Sequence, residues 1–134
     1  MMRCDAEWLK LALAGCSDDQ LSPILNFGSS THRFRTVEQP YIHKLVFRPL
    51  EKQGIQVVHC DLKEAVGVDV SGDVFNDADL AKLKAVGARS IICTHMIEHV
   101  CDREELVRRL MELLPAGGRF FITVPSSYHE HRDP

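Results

Sequence analysis

The sequence predicts an α/β protein in which a mostly parallel sheet is covered by helices on both faces. Two observations carry this. Short apolar runs, PILNF, IQVVHC, SIICT and RFFITV, recur along the chain, and most are separated by segments with helical apolar spacing that end at glycine. A chain of 134 residues with 45% hydrophobic content suffices for one globular domain, 1–134, with a core of its own.

Asp5 is placed to cap a short helix through Ala14, with Trp8, Leu9, Leu11, Ala12 and Leu13 as its apolar content and Gly15 as its stop. SDDQLS reads as a polar linker. PILNFGSST is a buried strand followed by a tight turn of small residues. Pro40 stands near the start of the next helix, whose Ile42, Leu45, Val46 and Leu50 share a face and which Gly54 closes. IQVVHC, 55–60, is a strand with Asp61 at its C-terminal end.

AVGVDVSGDV follows too soon for a crossover helix, which takes about a dozen residues. It is either a short edge strand reached by a loop or no strand at all. Asn76 and Asp77 open a helix carrying Leu80, Leu83 and Val86, ended by Gly87, and SIICT, 90–94, is the next strand. Asp102 with Glu105 makes a capping-box-like start for Arg103 to Leu114, and PAGG turns the chain into RFFITV, 119–124.

The formal charge of −3, with basic and acidic residues interspersed, offers no footprint for nucleic acid or an anionic membrane. No apolar run approaches the roughly 18 residues of a membrane span. The five cysteines include no CxxC pair, and Cys60 and Cys93 sit in apolar runs, so a reduced, cytoplasmic protein is expected. The partner expected is a small molecule.

In an open parallel sheet, ligands bind at the carboxyl ends of the strands, near the switch in strand order. Four segments are candidates: Gly28 to Thr31, Asp61, Asp73 and the THMIEH turn. The GSST loop, with Ser29 and Ser30, lets backbone approach a ligand closely, although a lone glycine is also common turn punctuation. Asp61 at a strand end is suited to accept two hydrogen bonds from a ribose diol, or is simply a solvated loop acid.

PILNFGSST, VVHCDL, GVDVSGDV, IICTHMIEHV and LLPAGGRFFITVPSS, in that order over about residues 22 to 128, resemble the Rossmann-like class I S-adenosylmethionine-dependent methyltransferases. The resemblance implies a three-layer sandwich with strand order 3-2-1-4-5, S-adenosylmethionine as cofactor, and methyl transfer to a small-molecule or glycan-type acceptor. It places Asn26, Gly28, Ser30 and His32 at the alternate positions of the family's acid and glycine loop, so one glycine survives there. It assigns the ribose hydroxyls to Asp61, adenine to Asp73 with Val74, and the other side of the cofactor to His95 with Met96. If the acceptor must lose a proton, His95 and His99 are the candidates to take it. A non-catalytic cofactor-binding or assembly module with a degenerate methyltransferase fold is the alternative.

His95, Glu98 and His99 also spell HxxEH, an inverted zincin spacing. Because the strand ends at Thr94, His95 falls on a loop, and the spacing no longer puts three ligands on one helical face. Some methyltransferases of this broad fold hold a divalent cation through ExxEH at this place, but the first Glu is His95 here. Glu98 and His99 are therefore read as packing and hydrogen-bonding groups, and no metal is expected.

The family covers the strand equivalent to FFITV with antiparallel strands that SSYHEHRDP is too short to supply. No Lys or Pro interrupts Phe120 to Val124. A two-fold dimer through this edge is expected, the alternative being a tail that folds back over it.

Overall fold

The computed structural model describes residues 1–126. The expectations about the tail after Ser126, including any shielding of the last strand, lie outside the described residues. Five strands form one parallel sheet: β1 (Ile24–Phe27), β2 (Val57–Asp61), β3 (Val70–Ser71), β4 (Ser90–Thr94) and β5 (Arg119–Thr123), in the order β3-β2-β1-β4-β5. This is the order the sequence implied. In-register pairing of Ile24 with Val57 on one side and with Ser90 on the other makes β1 the centre.

Strand alternation divides the core into two layers. Ile24 and Ile92 face one way and pack with Leu9, Leu13, Ile42, Val46, Phe47 and Leu50. Leu25, Ile91 and Cys93 face the other way, against Leu83, Leu106 and Leu110. The first layer is built from α1 (Arg3–Ala14), α2 (Asp18–Leu21) and a helical stretch that includes α3 (Pro40–Ile42) and α4 (Arg48–Lys52); the second from α5 (Asp77–Lys84) and α6 (Arg103–Glu112). Asn76 accepts from Ala78 N and Asp79 N, and Asp102 from Glu105 N, so the capping expected for both helices of the second layer is present.

Three local expectations need correction. Asp5 lies inside the first turn of α1, where its carboxylate accepts Met2 N–H at 2.7 Å, so the cap is Met2 and the helix begins three residues earlier. SDDQLS is not a linker: Ser17 N–H donates to Gln20 Oε1 at 3.0 Å and closes the single-turn helix α2. The one helix expected from Pro40 is broken by a π-helical segment, His43–Phe47, between α3 and α4, and a second such segment, Phe34–Glu38, precedes it. Gln39 (φ −128°, ψ 68°) leaves helical geometry ahead of Pro40, as residues before proline do. Arg48 N–H reaches five residues back to His43 O just before Pro49, which has no N–H to give.

β3 resolves the open question after β2. It is an edge strand of two residues, paired with Cys60 and Asp61 and reached by a loop over 62–69.

Candidate functional site

The chain leaves β1 upward through Gly28 (φ +73°) and Ser30 (φ +56°), both left-handed. Glycine is at ease there; a serine is held there by its surroundings. Ser29 N–H donates to Cys60 O at 2.9 Å, and Ser30 N–H to Asp61 Oδ2 at 2.8 Å. Asp61 Oδ1 takes Leu62 N–H at 2.8 Å. Each oxygen of Asp61 has thus accepted one backbone donor and retains further acceptor capacity.

Arg35, in the π-helical turn behind this loop, is 4% exposed. Its Nη1 donates to Ser29 O at 2.9 Å and Ser30 O at 2.6 Å, and its Nη2 to Gly67 O at 2.7 Å. One guanidinium therefore stitches the loop after β1 to the loop after β2. Burial lowers its proton affinity, and the nearby Asp69 and Asp61 charges restore part of it. Gly67 (φ +86°) makes the seam possible, because a Cβ there would stand 2.5 Å from His32 Cβ. His32 N–H donates to Val66 O across the same seam at 2.9 Å.

On the other side of the switch point, His95 follows β4 in a left-handed conformation (φ +52°), its N–H tied to Thr123 O at 3.0 Å. Its Nε2 lies 2.8 Å from Asp5 Oδ2 and its Nδ1 3.6 Å from Glu98 Oε1, all three side chains being less than one-fifth exposed. An ionised carboxylate only accepts, so Nε2 carries the hydrogen toward Asp5. Glu98 Oε2 and Thr123 Oγ1 are buried without a hydrogen-bond partner among the described residues. Met96 lies on Gly28: a Cβ on that glycine would meet Met96 Cγ at 2.4 Å.

Between the two loops, at the carboxyl ends of β1 and β4, opens a small cleft of about 40 Å³. Asn26, Gly28, Ser29, Ser30, Arg35 and Thr94 line it with Phe34 and Phe47. Asn26 is buried and its Nδ2 donates to His59 Nδ1 at 3.0 Å, while Phe47 meets the His59 ring edge-on. Burial first, and then the Arg35 charge, push the His59 pKa down to about 4.

Asp61, Asp73, Val74, His95, Met96 and His99, the other expected site residues, are not among the residues that line this cleft. Asp73 Oδ1 accepts Phe75 N–H at 2.9 Å in a local turn. Val74 is 2% exposed, its side chain in the second core layer, so only its backbone faces outward chemistry; Arg109 Nη1 already donates to its carbonyl at 3.3 Å. His99 is exposed, at the end of the 3₁₀ turn Ile97–His99. Burial raises the Cys60 and Cys93 thiols to about 12, which keeps both protonated and inert. Among the described residues, no group of three or more His, Cys, Asp or Glu side chains is arranged to hold a metal ion, and no helix is long and apolar enough to cross a membrane.

Sequence reasoning missed Asp5 and Arg35. Asp5 carried only a capping signal, and its partner is ninety positions away. Arg35 sits among His32 and Arg33, where a basic cluster reads as a solvated surface.

A family model described as a methyltransferase domain matches residues 4–134. No curated protein matches the chain.

Proposed function

The chain belongs to the methyltransferase domain family, and from that premise we propose that it binds S-adenosylmethionine in the cleft between β1 and β4 and transfers its methyl group to a small-molecule or glycan-type acceptor. The observation that supports this most is Asp61. It ends β2 beside the loop after β1, is fixed by two backbone donors and still has lone pairs to offer. A ribose diol needs such an acceptor. The residues fit the cofactor in a second respect: Gly28 lets the chain turn closely beneath the cleft, and the nearest atoms to where its Cβ would stand belong to the flexible Met96 side chain.

When bound, the cofactor supplies a sulfonium-activated methyl group. The protein's part is to hold donor and acceptor in line and exclude water. Asn26, Gly28, Ser29 and Ser30 line the cleft and would form the floor beneath the cofactor; Asp61 would take the ribose, the backbone at Asp73 and Val74 would border adenine, and His95 with Met96 would form the far wall. For an acceptor that loses a proton, Nδ1 of His95 is the ring nitrogen left to take it, since Nε2 is committed to Asp5. Protonation there turns the 3.6 Å approach to Glu98 into an ion pair. His99 is the second, more exposed candidate. Five cysteines outside any disulfide agree with a reducing, cytoplasmic setting.

Titration calorimetry with S-adenosylmethionine and S-adenosylhomocysteine, followed by labelled methyl transfer to a panel of hydroxyl- and amine-bearing small molecules and glycans, tests the reading. Binding with transfer supports it. Binding without transfer across the panel leaves a cofactor-binding module, and no heat at millimolar ligand from folded protein removes the cofactor reading altogether.

A further inference from the structure

Arg35 is a buried cation that no carboxylate touches among the described residues. Its contacts are the carbonyls of Ser29, Ser30 and Gly67. Such a placement is costly unless the charge has a further use, because carbonyl dipoles compensate a desolvated guanidinium only in part. Three of its five N–H groups are spent on these bonds, which leaves Nε–H and one Nη2–H. Arg35 also lines the cleft.

The neighbouring backbone sharpens the point. A loop that receives an anion usually does so with its own amides. Here Ser29 N–H is taken by Cys60 O and Ser30 N–H by Asp61 Oδ2, while the two carbonyls turn back onto Arg35. The loop has lost two donors for an anion, and the positive charge in the lining comes from the guanidinium behind it. Asp61 and Asp69 lie near enough to act on that charge without neutralising it by contact.

We propose that Arg35 is the specificity-determining residue of the site, recognising the carboxylate at the amino-acid end of the S-adenosyl ligand. This rests on the cofactor reading above and adds a requirement to it: the ligand must carry that carboxylate. A forked guanidinium suits a planar carboxylate better than an ammonium does.

The test compares S-adenosylmethionine with its decarboxylated analogue, which keeps the adenosine, sulfonium and amine, by titration calorimetry on the wild type, Arg35→Lys and Arg35→Met. The wild type is expected to favour the carboxylate-bearing ligand about ten- to hundredfold, the worth of a charge-assisted hydrogen bond. Arg35→Met loosens the loop for both ligands alike, because it also removes the clip onto Ser29, Ser30 and Gly67, but it should bring the ratio of the two affinities close to one, with Arg35→Lys in between. Equal affinity of the wild type for both ligands overturns the proposal without needing any variant to fold, and leaves the cofactor reading standing. A parallel loss of both affinities in Arg35→Met with their ratio unchanged also overturns it, since that is the mark of a purely structural clip. If the wild type binds neither ligand, the cofactor reading falls and takes this one with it.

Discussion

Asp5 Oδ2 and His95 Nε2 stand 2.8 Å apart across ninety positions of chain, joining the first helix to the loop that leaves the fourth strand. The same carboxylate oxygen accepts Met2 N–H at 2.7 Å, so one side chain both starts α1 and fastens it over the cleft.

Replacing Asp5 with alanine removes the partner of a largely buried imidazole. A loss of about 1–3 kcal/mol in unfolding free energy is expected, the usual cost of leaving such a group unpaired. Asp5→Asn keeps an oxygen for Met2 and His95 and should lose less. Urea denaturation of the three proteins decides; an alanine variant as stable as the wild type would show that the contact contributes nothing.

Asp61→Asn should separate the two tasks assigned to that carboxylate. One oxygen remains for a backbone donor, so the fold is expected to survive, while binding of S-adenosylmethionine weakens by about 1–3 kcal/mol because ribose hydroxyls lose charged acceptors. Asp61→Ala should weaken binding at least as much and lower stability as well. Unchanged calorimetric affinity in both variants would remove Asp61 from the site.

Gly28→Ala faces two penalties, a left-handed backbone and a Cβ driven to 2.4 Å from Met96 Cγ. Together they should cost about 1–3 kcal/mol of stability. Adding Met96→Ala relieves the collision but not the backbone strain, so the double variant should recover part of the loss. A double variant no better than Gly28→Ala would argue against the Met96 contact.

His59 gives the protein a defined acid sensitivity. Its pKa is about 4 in the folded protein against 6.5 ordinarily, so between these values the unfolded chain binds a proton that the native state refuses. Stability from this group is therefore complete above pH 6.5, falls as the pH drops toward 4, and changes no further below that. The full loss is about 3 kcal/mol. His59→Gln should flatten the slope of unfolding free energy between pH 6.5 and 4; identical slopes for variant and wild type would refute the assignment.

β5 is the outer strand of the sheet, and Ile122 is 37% and Val124 53% exposed beside it. A two-fold dimer through this edge is expected, and Ile122→Lys should disperse it. Sedimentation equilibrium reads the mass directly; a monomer near 15.1 kDa at every micromolar concentration would reject the dimer.

Much of the architecture was legible because it rests on local chemistry. Asn76 and Asp102 announce their helices through capping oxygens, and the alternation of Ile91, Ile92 and Cys93 between layers follows from strand geometry alone. α2 was legible too: Ser17 and Gln20 have the capping-box spacing, and the polar composition of SDDQLS masked it. The π-helical segments have a weaker signal, two prolines nine positions apart within one helical pattern. Of the candidate site, the places of Gly28 and Asp61 at the ends of β1 and β2 could be read from the apolar runs that lead to them. Arg35 and Asp5 could not, because each acts through partners that only the folded chain brings near. Val74 shows the converse: its position was foreseen, but its side chain is claimed by the core.

The loop that stands in for a crossover helix after β2 also shortens β3 to two residues. The sheet thus ends in a blunt edge on one side and a five-residue edge on the other. A strand added at β5 finds no matching template at β3 from which to continue, so head-to-tail growth has no second foothold. Among the described residues the brevity of one strand thus disfavours stacking into fibres, and the proposed union through β5 would close at two copies.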